Sequence, residues 1–119
     1  MTLTLAEAVL AAGTDDWVPL RAIDGLARRL EPNADPSEQH DRVLEAVREL
    51  LGTELVEVGT ISGTEFSAWE GPLSASLARI EEAYLTQAPD EWGFAIWFNN
   101  TVLGDDIGRA ALSREPDIL

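Results

Sequence analysis

The sequence predicts an α+β fold: three helices leading into a β-hairpin, then a fourth helix and an added central strand. Three observations predict it. Apolar residues recur at helical spacing in the first half, at Leu20, Ile23, Leu26, Ala27 and Leu30, and again at Val43, Leu44, Val47, Leu50 and Leu51. Glu54-Leu55-Val56-Glu57-Val58 and Glu65-Phe66-Ser67-Ala68-Trp69 read as strands flanking a polar turn, Gly59 to Thr64. Trp92 to Phe98 alternates as a strand does, and even its second face is apolar, which suits the middle of a sheet. The 119 residues suit a single domain, 1–119, large enough to bury a core without metal or disulfide staples.

Each element has a local cause. Thr4-Leu5-Ala6-Glu7 has capping-box spacing, so a first short helix starts at Leu5 and Gly13 ends it. Asp15-Asp16-Trp17-Val18-Pro19 opens a second helix with Pro19 in its first turn, and Glu31-Pro32-Asn33-Ala34 breaks it. Asp35-Pro36-Ser37-Glu38 opens the third: Asp35 caps, Pro36 fits the first turn, and Gly52 terminates. The hairpin follows with a loop longer than two residues. Gly71-Pro72 starts the fourth helix, with Leu73, Leu77, Ile80 and Tyr84 on one face. Thr101 to Leu112 forms a short last helix weakened by Gly104 and Gly108, and Ser113 to Leu119 frays.

Charge is the chain's most unusual property. Twenty-two acids face eight bases, a formal net charge of −14. Residues 1–48 hold nine acids and five arginines; residues 49–119 hold thirteen and three. This lies beyond the roughly 2–8 charges that suit a soluble small domain. Such a field repels phosphate and speeds encounter with cationic proteins. An apolar fraction of 45% argues against disorder. There is no cysteine and no lysine, which excludes disulfides, thiolate ligands, Schiff bases and a P-loop lysine. No apolar run has the roughly 20 residues a membrane span needs, and Met1-Thr2-Leu3-Thr4 lacks the basic start of a signal peptide. The expected location is cytoplasmic.

Three helices followed by a hairpin resembles a winged helix. Val43-Leu44-Glu45-Ala46-Val47-Arg48-Glu49-Leu50-Leu51-Gly52, leading into Leu55-Val56-Glu57-Val58-Gly59, looks like that fold's recognition helix and first wing strand. The likeness covers about residues 2–70, and the whole chain is similar to small actinobacterial proteins of this layout. The resemblance implies DNA binding through the third helix and the wing. The residues depart from it. Arg42 and Arg48 are accompanied by Glu38, Asp41, Glu45 and Glu49, and the wing tip Gly59 to Thr64 has no base and is flanked by Glu57 and Glu65. Duplex binding relies on cations against phosphate.

Catalytic patterns are weak. His40 beside Asp41 is the only histidine, and adjacent helical residues diverge, so it reads as a surface residue. Ser62 lacks a Gly-x-Ser-x-Gly frame. Asp15-Asp16, Glu81-Glu82, Asp90-Glu91 and Asp105-Asp106 are acid pairs, but a divalent cation needs ligands converging from several elements. No phosphate-binding glycine motif is present. Trp17, Trp69, Trp92 and Trp97 read chiefly as packing residues; Trp97, if it faces outward, is an anchor for a partner.

The expectation is therefore a non-enzymatic acidic binding protein without metal or cofactor. In general character it resembles bacterial immunity proteins, which implies a basic partner, a cognate toxin such as a nuclease. The residues expected at that contact are Glu54, Glu57, Glu65, Glu70, Glu81, Glu82, Asp90, Glu91, Trp97, Asp105 and Asp106. The alternative is a winged-helix transcriptional regulator using Arg42 and Arg48 as a dimer. A small hydrolase or metal-dependent enzyme using a carboxylate pair is third.

Overall fold

The computed structural model describes residues 3–117, which form six helices and a four-stranded antiparallel sheet. The first helix, α1 (Leu5–Ala12), begins with the expected capping box: the Glu7 amide donates to Thr4 Oγ1 at 3.1 Å, and the Thr4 amide donates to Glu7 Oε1 at 3.0 Å. Gly13 follows it, in right-handed rather than left-handed conformation. Its missing side chain serves packing instead. A Cβ there would lie 2.7 Å from Asn100 Cγ, and the Asn100 amide donates to the Leu10 carbonyl at 2.9 Å.

The second helix starts later than expected. Val18–Pro19 is a two-residue strand, β1, and α2 (Leu20–Leu30) begins after it. Val18 pairs with Phe98, and Pro19, having no N–H to donate, sits on an edge strand where none is needed. Leu20, Ile23, Leu26 and Ala27 are buried, as the spacing requires. In α3 (Pro36–Gly52), Asp35 accepts from the Glu38 amide at 2.9 Å. Its exit does not use Gly52 in a left-handed position. Glu54 takes that role, with φ +58°, and the Glu54 and Leu55 amides return to the Leu51 and Leu50 carbonyls at 3.2 and 3.0 Å.

The hairpin strands are β2 (Val56–Ser62) and β3 (Glu65–Ala68). They are joined by a two-residue turn, Gly63-Thr64, not by the longer loop the sequence suggested. Gly63 has φ +63° and Thr64 is not left-handed, which is the pattern of a type II′ turn matched to strand twist. Then come α4 (Leu73–Thr86), the single turn α5 (Pro89–Trp92), β4 (Trp97–Asn100) and α6 (Val102–Arg114). The expected strand from Trp92 to Phe98 is therefore corrected to Trp97–Asn100. Pro89 and the two acids after it form a helical turn, so Trp92 lies in α5. The sheet runs β1-β4-β2-β3, and β4 is internal although only Trp97 and Phe98 of the apolar stretch belong to it. The last helix reaches Arg114, beyond the expected fraying point; residues 118 and 119 lie outside the described part.

Gly104 and Gly108 do not merely weaken α6. They let it lie against α1, its most extensive neighbour, and against the chain entering β2. A Cβ on Gly108 would lie 2.7 Å from the Leu10 carbonyl carbon, and one on Gly104 would strike the Leu55 carbonyl. The main core gathers Phe98, Leu10, Leu20, Ile23, Leu50 and Ile80 between the helices and one face of the sheet, the face carrying Val18, Val56 and Val58.

Candidate functional site

Helix α3 would be the DNA-reading element of a winged helix, and its exposed side presents Glu38, Asp41, Glu45 and Glu49. Both of its arginines are engaged within the protein. Arg42 Nη1 lies 3.4 Å from Glu31 Oε1, and Arg48 forms an ion pair with Glu81 on α4. The hairpin tip adds no cation, and residues 49–78 contain none. The field over α3 and the hairpin is therefore negative, and each arginine there already has a carboxylate partner.

The acids expected at a partner contact are spread over the fold. Glu54 forms the exit of α3, Glu57 lies on β2, Glu65 starts β3, and Glu70 follows that strand. Glu81 and Glu82 are on α4, Asp90 and Glu91 on α5, and Asp105 and Asp106 on α6. Glu81 is held by Arg48, while Arg109 lies 4.0 Å from Asp105 and 3.5 Å from Asp106. Glu57 accepts a long hydrogen bond, 3.4 Å, from Asn99 on the neighbouring strand. Near it, Asp15, Asp16 and Asp105 line a depression of about 300 Å³ with Trp17 and Asn99.

Trp97 does face away from the core. On β4 it alternates with Phe98, which is buried, and it lies directly across from Pro19 and Gly59. Its indole N–H donates to the Phe94 carbonyl at 2.8 Å, and the two rings are 6.0 Å apart. Phe94 is 62% exposed, although in the sequence it alternates in phase with Trp92, Ile96 and Phe98, which are buried. It precedes the strand, and the strand's alternation does not govern it. On the same outer face Trp17 stacks with Phe66, with ring centroids 6.1 Å apart. Gly59 leaves room beside Phe66: a Cβ there would strike the Ser67 carbonyl and lie 2.8 Å from Phe66 Cζ. Sequence reading missed Phe66 and Phe94 as surface residues. The signal for Phe66 was its pairing opposite Ile61, which needs the register; for Phe94 there was none.

The other tryptophans are packing residues. Trp92 is buried against the Tyr84 ring, 4.8 Å between centroids. Trp69 donates to Thr60 Oγ1 at 2.9 Å and carries the Arg79 guanidinium 3.8 Å above its ring. His40 is half-buried rather than a free surface residue, with its ring edge-on to Tyr84 at 4.9 Å.

One buried polar group stands out in the core. Asp24 Oδ1 accepts from the Tyr84 hydroxyl at 2.6 Å, and its Oδ2 accepts from Arg28 Nε at 2.9 Å. Burial, with the Asp24 carboxylate beside it, pushes the Tyr84 hydroxyl well above the ordinary tyrosine range. A phenol so deprotonation-resistant is a structural strut for α2 and α4. At the other end of the molecule the Glu7 carboxyl is held below its usual range, first by the Thr4 amide and then by Arg114. Among the described residues no group of three or more His, Asp and Glu is arranged to hold a metal ion, and no helix is long and apolar enough to cross a membrane.

Comparison with known proteins gives no match: no family model, curated protein or solved structure is significantly similar to this chain.

Proposed function

We propose that this chain is an acidic, non-enzymatic binding protein of the immunity type, which docks on a basic toxin domain, such as a nuclease, and covers its active site. The observation that carries this reading is the state of α3. Four exposed carboxylates outnumber two arginines, and both arginines are tied to Glu31 and Glu81. Gripping phosphate would require breaking those pairs inside a negative field, whereas a cationic protein meets the same surface favourably. The net charge of −14 works in the same direction by accelerating encounter.

The winged-helix relationship belongs to the same proposal. The order α1-β1-α2-α3-β2-β3 supports it, and the insertion of β4 between β1 and β2 marks how far this sheet departs from a simple wing. On this reading the scaffold has exchanged nucleic acid for protein as its target.

The test is co-expression with the product of the gene adjacent to its own, followed by calorimetric titration of the two purified proteins. A complex that weakens steeply with salt, and a partner activity abolished on binding, support the proposal. A sub-micromolar complex with duplex DNA at about 150 mM salt, lost on replacing Arg42 and Arg48 by alanine, would reverse it in favour of a DNA-binding regulator.

A further inference from the structure

All the helices that bury the sheet do so from the side of Val18, Val56, Val58 and Phe98. The opposite side, bearing Trp17, Pro19, Glu57, Ile61, Phe66, Trp97 and Asn99, is left open: among these residues none is fully buried. Large apolar residues on an uncovered sheet face are costly to leave in water, and contiguous aromatic surface of this kind marks interaction sites.

Its charge says what suits it. Arg21 lies beside Gly93, but the segments that build the sheet, 13–20, 53–72 and 93–101, contain no arginine or lysine, and they bring Asp15, Asp16 and Glu57 to the border of the aromatic face. Asp16 is fixed there, its carboxylate accepting from the Trp17 amide at 2.8 Å. Aromatic faces attract cations through the ring quadrupole, and the planar guanidinium stacks on them while its edge remains free for a carboxylate. The protein already makes one such stack within itself, Arg79 on Trp69.

The geometry points to this open sheet face as the docking surface for a cationic protein segment. Arginine side chains of the partner lie against Trp97, Phe94 and the Trp17–Phe66 stack, and Asp15, Asp16 and Glu57 supply the counter-charge. The assignment rests on the proposed function, since it names the surface that function would use. It differs from a purely electrostatic contact in requiring aromatic rings, and in preferring arginine to lysine.

The experiment titrates nona-arginine and nona-lysine into the isotope-labelled full chain at about 150 mM salt, where charges farther away than roughly 8 Å are screened. Backbone and indole amide resonances are followed. Expected are shifts centred on residues 15–19, 57–61, 66 and 94–99, with nona-arginine binding several-fold tighter than nona-lysine. Phe94→Ser combined with Glu57→Gln, both at exposed positions, should weaken nona-arginine about tenfold, a loss of one ordinary hot spot. A quadruple variant, Glu81→Gln, Glu82→Gln, Asp90→Asn and Glu91→Asn, should change it far less. Unchanged amide dispersion in both variants shows that the fold is kept. Binding that instead follows the quadruple variant and shifts α3 to α5 overturns the sheet-face assignment while leaving the cationic-partner reading standing. No binding to either peptide overturns both. A concentration-dependent dimer broken by Phe94→Ser would assign the face to a second copy of the chain and likewise overturn the proposal.

Discussion

Substituting alanine for glycine in this protein should change sign with position, and the structure says where. Gly25 is inside α2 with nothing within 4 Å of the place its Cβ would occupy. Gly25→Ala therefore gains only helix propensity, about 0.5–1 kcal/mol. Gly108 lies in α6 with the Leu10 carbonyl carbon 2.7 Å from the same position, against an ordinary contact of 3.4–4 Å. The obstacle is backbone, so α6 itself must move off α1. Overpacking of this kind costs about 1–3 kcal/mol, and the propensity gain offsets only part of it. The net is a loss of about 1–2 kcal/mol. At about 4 °C per kcal/mol for a chain of this size, Tm should rise by about 2–4 °C for Gly25→Ala and fall by about 4–8 °C for Gly108→Ala. Thermal and urea unfolding followed by circular dichroism measures both. If Gly108→Ala stabilises as Gly25→Ala does, the close seating of α6 on α1 is wrong.

Three further outcomes are expected. Tyr84 is held protonated in the folded state while the unfolded phenol ionises near pH 10. Its contribution is thus intact below about pH 10 and is lost as pH rises further, a decline in urea stability that Tyr84→Phe should flatten, while costing about 1.5–3 kcal/mol at neutral pH through loss of a hydrogen bond to a carboxylate. Glu7 is the opposite case: its folded carboxyl is lowered, so its stabilisation is present above the usual carboxylate pKa and disappears as pH falls through the folded value. The stability gap between the parent and Glu7→Gln should accordingly close in acid; a gap independent of pH would contradict the Thr4 and Arg114 contacts. Glu54→Gly should stabilise by about 0.5–1 kcal/mol in the same unfolding assay, because glycine adopts φ +58° without the penalty a side chain incurs.

Legibility from sequence followed the range of the interaction involved. The capping box at Thr4 and the Asp35 cap were readable because every partner lies within four residues. The buried stripes of α2 and α3 were readable because periodicity reports which side faces the core. Errors arose where distant chain decides the outcome. Val18–Pro19 becomes a strand because Phe98 pairs with it, and nothing near residue 18 announces that. Gly104 and Gly108 look like helix breakers until the Leu55 and Leu10 carbonyls lie against them. The candidate surface divides in the same way. The excess of acid is a property of composition, but the placing of Trp17, Phe66 and Trp97 on one face of the sheet is a product of strand register.

The placement of β4 has a consequence for synthesis. The strand that joins β1 to β2 is synthesised after both of them, and until residues 97–100 emerge the first strand has no neighbour to pair with. A nascent chain that stops short of residue 97 can hold the earlier helices and the hairpin but not the strand that belongs between β1 and β2. Closure of the sheet thus waits on residues 97–100, so products truncated before them lack its central pairing and are ready substrates for proteolysis.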